Sequence, residues 1–137
     1  MKDWIVAVVV LSGCVSEDKP ELDATGTVQA QLTWGAGNCL KSGTEGLLIQ
    51  IAKGGFGEYT VTQTNPGVNM SGFVICGSYY CQIDFTRSWE GPSQESLRLT
   101  GTLTLDDNDQ VTGTAEYSAF GLSTSCEQTA KITGTLN

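Results

Sequence analysis

Histidine is absent from this chain. That absence removes the usual general base near neutral pH, the commonest imidazole metal ligand, and the base partner of serine or cysteine nucleophiles. Cations are scarce as well: 7 Lys and Arg stand against 15 Asp and Glu, a formal charge of -8. Nucleic acid is therefore not an expected partner, because phosphate contacts need clustered Lys and Arg. The Cys-x-x-Cys knuckles of zinc ribbons are missing, so neither a metal nor a cofactor is expected. Long apolar runs are missing too. The longest, Ile5 to Leu11, falls far short of the roughly 20 residues that a membrane-spanning helix needs.

What is present is a pattern of period two. In residues 27–34, Val28, Ala30, Leu32 and Trp34 alternate with Thr27, Gln29, Gln31 and Thr33, the mark of a strand with one buried face. Residues 96–105 repeat it with Leu97, Leu99, Leu103 and Leu105. Asp106, Asp107, Asn108 and Asp109 then form a turn rather than a calcium loop, because no EF-hand glycine or later bidentate Glu follows. A return strand spans 110–120, with Val111, Ala115 and Tyr117 on one face, and a last strand spans 126–136. Weaker candidates lie at 46–52, 58–63, 68–76 and 79–88. The expected fold is all-β: an antiparallel meander of about eight strands, closed or nearly closed as a β-barrel, with a two-sheet sandwich as the alternative. Gly-Thr recurs at Gly26, Gly101, Gly113 and Gly134, where glycine within a strand marks bends that let a sheet curl. Closure would pair the first strand with the last and hide both edges.

Four of the five cysteines, Cys39, Cys76, Cys81 and Cys126, fall in this domain and favour two disulfides. Cys76 and Cys81 flank a hairpin-sized loop, which suits a direct bridge. Cys39 then pairs with Cys126, in keeping with antiparallel contact between the first and last strands.

The fifth cysteine has a different setting. Met1 to Cys14 carries a charged head, the apolar run and then Ser12, Gly13 and Cys14, as an export signal does. Leu11-Ser12-Gly13-Cys14 resembles the lipobox of bacterial lipoproteins. The resemblance implies a signal peptide over 1–13, a mature chain starting at Cys14 with a thioether-linked diacylglycerol, and a membrane partner through that anchor. Two or three acyl chains, at about 0.8 kcal/mol per buried methylene, hold a domain stably. Residues 14–23 are polar and acidic and read as a flexible tether, leaving 24–137 as the β domain. Val15 follows the acylated cysteine; in enteric bacteria an Asp there resembles an inner-membrane retention signal, so Val15 leans toward the outer membrane of the cell envelope.

No catalytic constellation stands out. Asp84, Glu90, Glu95, Glu116 and Glu127 offer carboxylates, but nothing singles out a pair, and the chain is not expected to be an enzyme. The candidate binding residues are Tyr79 and Tyr80, in the loop between Cys76 and Cys81, and Trp89, in a segment that reads as a turn before Gly91-Pro92. Loop aromatics anchor partners or stack on sugars; the simpler alternative folds Tyr79 and Trp89 back as lids over the barrel ends. Three functions follow: binding of an envelope protein or glycan, inhibition of a cell-wall-degrading enzyme, or carriage of a small apolar ligand. The second rests on similarity of architecture to the lipoprotein inhibitors of lysozyme, whose Ser-Gly-Ala loop motif is not found here. The third resembles lipocalins in architecture, but Trp34 lacks the flanking residues of their signature.

Overall fold

The computed structural model describes residues 19–63, 68–121 and 125–137. The signal over 1–13 and Cys14 lie outside the described residues. The alternating segments form eight strands: β1 (Gly26–Gly37), β2 (Thr44–Lys53), β3 (Tyr59–Thr62), β4 (Val68–Cys76), β5 (Tyr80–Glu90), β6 (Ser96–Asp106), β7 (Gln110–Phe120) and β8 (Ser125–Leu136). All lie in one antiparallel sheet in the order β3-β2-β1-β8-β7-β6-β5-β4. The first strand pairs with the last, Val28 opposite Leu136 and Leu32 opposite Ile132. The result is a nearly closed meander barrel, as the alternation implied, and not a sandwich.

The unsealed seam falls in mid-chain, between β3 and β4. β3 is four residues long and covers β2 from Gln50 to Lys53, so among the described residues the first half of β2 has no hydrogen-bonded neighbour on that side.

The inward register supplies the core. Val28, Ile49, Ile83, Phe85, Leu103, Leu105, Val111 and Ile132 are buried, each such side chain contributing roughly 1.5–3 kcal/mol relative to exposure. These side chains fill the middle of the barrel, which leaves little room there for an apolar cargo. The four glycines of the Gly-Thr pairs lie on the same inward register. Gly101 shows what they allow: it sits opposite Phe85, and a Cβ there would meet the Phe85 ring at 2.5 Å. The largest core side chain thus occupies the space that a glycine vacates, in keeping with the small-large matching that barrel interiors use.

Cys39 bridges Cys126 and Cys76 bridges Cys81, with Cα separations of 5.0 and 4.0 Å. Cys76 and Cys81 are the terminal cross-strand pair of the β4-β5 hairpin. The turn over Asp106–Asp109 closes the β6-β7 hairpin, with Asp106 Oδ1 accepting from the N–H groups of Asn108 and Gln110 at 2.8 and 2.9 Å.

Two expectations differ. Residues 19–23, read as tether, are held on the barrel: Ser78 Oγ donates to the Lys19 carbonyl at 2.8 Å and the Leu22 N–H to the Gly77 carbonyl at 2.8 Å. Leu22 packs against the core and Ala24 is fully buried, so the apolar content that looked too small to fold is enough once the hairpin loop receives it. Trp89 is not in a turn. β5 runs on to Glu90, and Trp89 is paired with Val68 and Leu97 on its two sides.

Candidate functional site

The three aromatics taken from the sequence do not form one site. Tyr79 stays in the turn, whereas Tyr80, expected in that loop, opens β5; Trp89 lies near the end of β5, nine steps of roughly 3.3 Å from Tyr80, at the opposite end of the barrel. Tyr79 is 66% and Tyr80 57% exposed, so neither folds back as a lid. Trp89 does pack against the core, at the end of the barrel where β1, β5 and β7 finish and β2, β6 and β8 begin.

There the inward register runs out of aliphatic residues and turns aromatic. Trp34 closes the inward set of β1 and Trp89 that of β5, while Tyr117 is followed on the inward register of β7 only by Ala119. The Tyr117 ring meets Trp34 edge-on at 5.4 Å between centroids and lies 6.0 Å from Trp89. Edge-to-face contacts of this kind add about 0.5–1.5 kcal/mol beyond burial.

Charged groups complete the mouth. Lys41 Nζ lies 5.2 Å from the Trp34 ring and 4.7 Å from the Tyr117 ring. Glu45 binds both partners with one oxygen, accepting from Trp34 Nε1 at 3.1 Å and pairing with Lys41 Nζ at 3.8 Å. The loop that carries Lys41 is fixed rather than loose. An extra residue in β1 between Trp34 and Gly37 bulges the strand beyond the tryptophan, and Gly37, at φ 152°, runs so close to β8 that a Cβ would lie 2.3 Å from the Gln128 Cα. The Cys39–Cys126 bridge follows at once. Gln128, the one buried polar residue among those described, then ties the loop down: Oε1 accepts from the Lys41 N–H at 3.0 Å, and Nε2 donates to the carbonyls of Lys41 at 2.7 Å and Gly35 at 3.1 Å. Between them Leu40 is held at φ 61°, a left-handed conformation that a bulky residue adopts only under constraint.

Arg87 is the remaining member. It stands two residues before Trp89 on the same inward face, with its guanidinium 4.5 Å from the Trp89 ring centroid. Its Nε is buried with no hydrogen-bond partner, and among the described residues no carboxylate lies within ion-pair distance. Burial lowers its pKa from the ordinary arginine value, an effect that the negative charge of Glu45 opposes.

These side chains line a cavity of about 200 Å3 that reaches in to Leu32, Leu47 and Leu99. Arg87 also lines a second, wider hollow of about 550 Å3, shared with Gly46 and Leu47, whose other walls include Thr27, Gln29, Gln50 and Gln63. Gln63 Oε1 is a further buried atom without a partner. The arrangement is thus an aromatic mouth, then an arginine that no carboxylate among the described residues ion-pairs, then a groove with amide and hydroxyl groups beside the first half of β2.

Of the residues that build the site, Trp89 is among the sequence candidates, and Trp34 enters the functional reading of the sequence only through the comparison with lipocalins. Lys41, Glu45, Arg87, Tyr117 and Gln128 were missed as site residues. A signal for two of them was present: Glu45 and Arg87 are charged residues in phase with the apolar, inward-facing set of their strands. No protein family, no curated protein and no solved structure matches this chain.

Proposed function

We propose that the chain is a non-catalytic lipoprotein of the cell envelope, anchored through Cys14, whose barrel mouth binds a glycan end that carries a carboxylate. The observation that carries this reading is Arg87, set between the aromatic mouth and the amide-bearing groove with its Nε buried and unpaired. A half-buried guanidinium whose Nε has no partner, and which no carboxylate among the described residues ion-pairs, gains from a planar anion that it can grip through two donors. Trp34, Trp89 and Tyr117 supply the apolar faces on which sugar rings stack, and Gln29, Gln50 and Gln63 supply amides for hydroxyl groups along the groove.

The size of the mouth supports a small group rather than a drug-sized or lipid cargo, whose pockets are typically about 300–1,000 Å3. The filled barrel core speaks against the apolar-carrier reading on the same ground. Glu45 is engaged by Trp34 and Lys41, which favours a structural carboxylate over one half of a hydrolytic pair. Inhibition of a cell-wall-degrading enzyme is the second reading, and in it the same mouth would hold an acidic side chain of the enzyme.

Isothermal titration separates these. Soluble peptidoglycan fragments, which carry carboxylates, should bind the intact protein, while neutral oligosaccharides of the same length should bind at least tenfold more weakly. Arg87→Gln should abolish that preference and Trp89→Ala should weaken both ligands. No heat with any glycan, together with inhibition of a muramidase, would transfer support to the second reading.

A further inference from the structure

The end of the barrel opposite the mouth carries a second group of aromatics that the glycan reading does not use. Phe56, in the β2-β3 loop, is fully exposed, and Tyr79, Tyr80 and Ile75 beside the β4-β5 turn are each more than half exposed. Tyr59 follows Phe56 in β3 and brings its hydroxyl to 3.9 Å from Cys76 Sγ, so the two loops lie next to each other across the seam. The chain enters the domain at this same end: Lys19 pairs with Asp107 at 3.7 Å, and its Nζ lies 4.3 Å above the Tyr79 ring.

We propose that this end rests on the bilayer, with Phe56, Tyr79 and Tyr80 inserted at the headgroup level. The inference rests on the reading of Cys14 as the lipid anchor. Cys14 stands five residues before Lys19, so its sulfur lies within roughly 18 Å of the Tyr79 end however the chain between them runs. Strands of eleven or twelve residues, tilted as barrels require, make the domain roughly 25–30 Å tall. The anchor therefore favours the aromatic end as the one that meets the membrane over the mouth at the far end of the barrel.

Rings with an apolar body and a polar tip suit the membrane interface. Charge does not drive the contact. Asp23, Glu58, Asp107 and Asp109 lie at this end against Lys19 and Lys53, a net negative set that does not attract anionic lipid, which commits the proposal to apolar insertion into a largely neutral headgroup layer. The consequence is an orientation: Trp34, Trp89 and Arg87 face away from the bilayer, toward whatever polymer the envelope holds there.

The test uses the lipidated full chain in vesicles of phosphatidylethanolamine with a minor share of phosphatidylglycerol, their acyl chains brominated near the glycerol. Phe56→Trp, a change at a fully exposed loop position, adds a reporter at the proposed contact. Its emission should be quenched at least twofold and shifted to the blue, in high salt as in low, while the native Trp34 and Trp89 emission stays unquenched. An unquenched reporter on a chain whose Cys14 carries lipid by mass spectrometry overturns the orientation and leaves the anchor standing. Quenching of the native tryptophans overturns it by reversing the domain. An unmodified Cys14 removes the anchor reading and the inference together.

Discussion

Gln128 holds both backbone polar groups of Lys41, accepting from its N–H at 3.0 Å and donating to its carbonyl at 2.7 Å across 87 residues of sequence. A buried amide saturated in this way acts as a template for the loop, and the loop in turn sets the Lys41 ammonium over two aromatic rings. Gln128→Leu keeps the volume and removes every one of these bonds. Leaving the Lys41 and Gly35 groups without partners should cost about 2–3 kcal/mol. Urea unfolding should show the loss, and near-ultraviolet circular dichroism should show the Trp34 signal weaken before the global transition.

The two disulfides should contribute unequally. Cys39–Cys126 spans 87 residues and Cys76–Cys81 only 5. On loop-closure entropy, removing the first should cost about 4–5 kcal/mol and the second about 2 kcal/mol. Paired Cys→Ser variants compared by denaturant midpoint test the order. Equal losses would mean that the short bridge has a role beyond restricting the unfolded chain.

Tyr117 should ionise later than an ordinary tyrosine. Burial raises its pKa above the ordinary value of 10.0, and the negative charges of Glu95 and Glu45 push in the same direction. Because the folded value lies above the unfolded one, the protonated phenol contributes stability that is fully present below pH 10 and fades as the pH climbs through the folded value. Absorbance titration near 295 nm should show a late component that Tyr117→Phe deletes. If the variant loses an early component instead, the ring is better solvated than its place in the mouth implies.

How much of this was legible in the sequence follows from what each feature depends on. Strand alternation is local, so Val28, Leu32, Leu103 and Ile132 could be assigned to the core at sight, and closure of β1 on β8 followed from the wish to hide two edges. The cysteine pairing came from the same closure. The position of the seam was not legible, because it depends on how few residues of β3 reach β2, and the sequence marks 58–63 only as one of four weaker strand candidates. Trp89 was assigned to a turn because Gly91 and Pro92 weigh heavily in local reading, although β5 needs only to stop at Glu90. Arg87 was overlooked for a more general reason. A cation on an inward-facing register contradicts the burial pattern around it, and such contradictions are where a binding site is expected to sit.

The mouth, and not the opposite end, is where a glycan should bind. Nitrogen-edited NMR of the isotopically labelled protein observes the indole N–H groups of Trp34 and Trp89 and the Nε–H of Arg87 directly, and soluble peptidoglycan fragments can be titrated in. Saturable shifts at those three signals, with the amides of Tyr79 and Tyr80 unmoved, are the predicted result. Unchanged mouth signals at saturating fragment, or shifts confined to the Tyr79 and Tyr80 end, would contradict it.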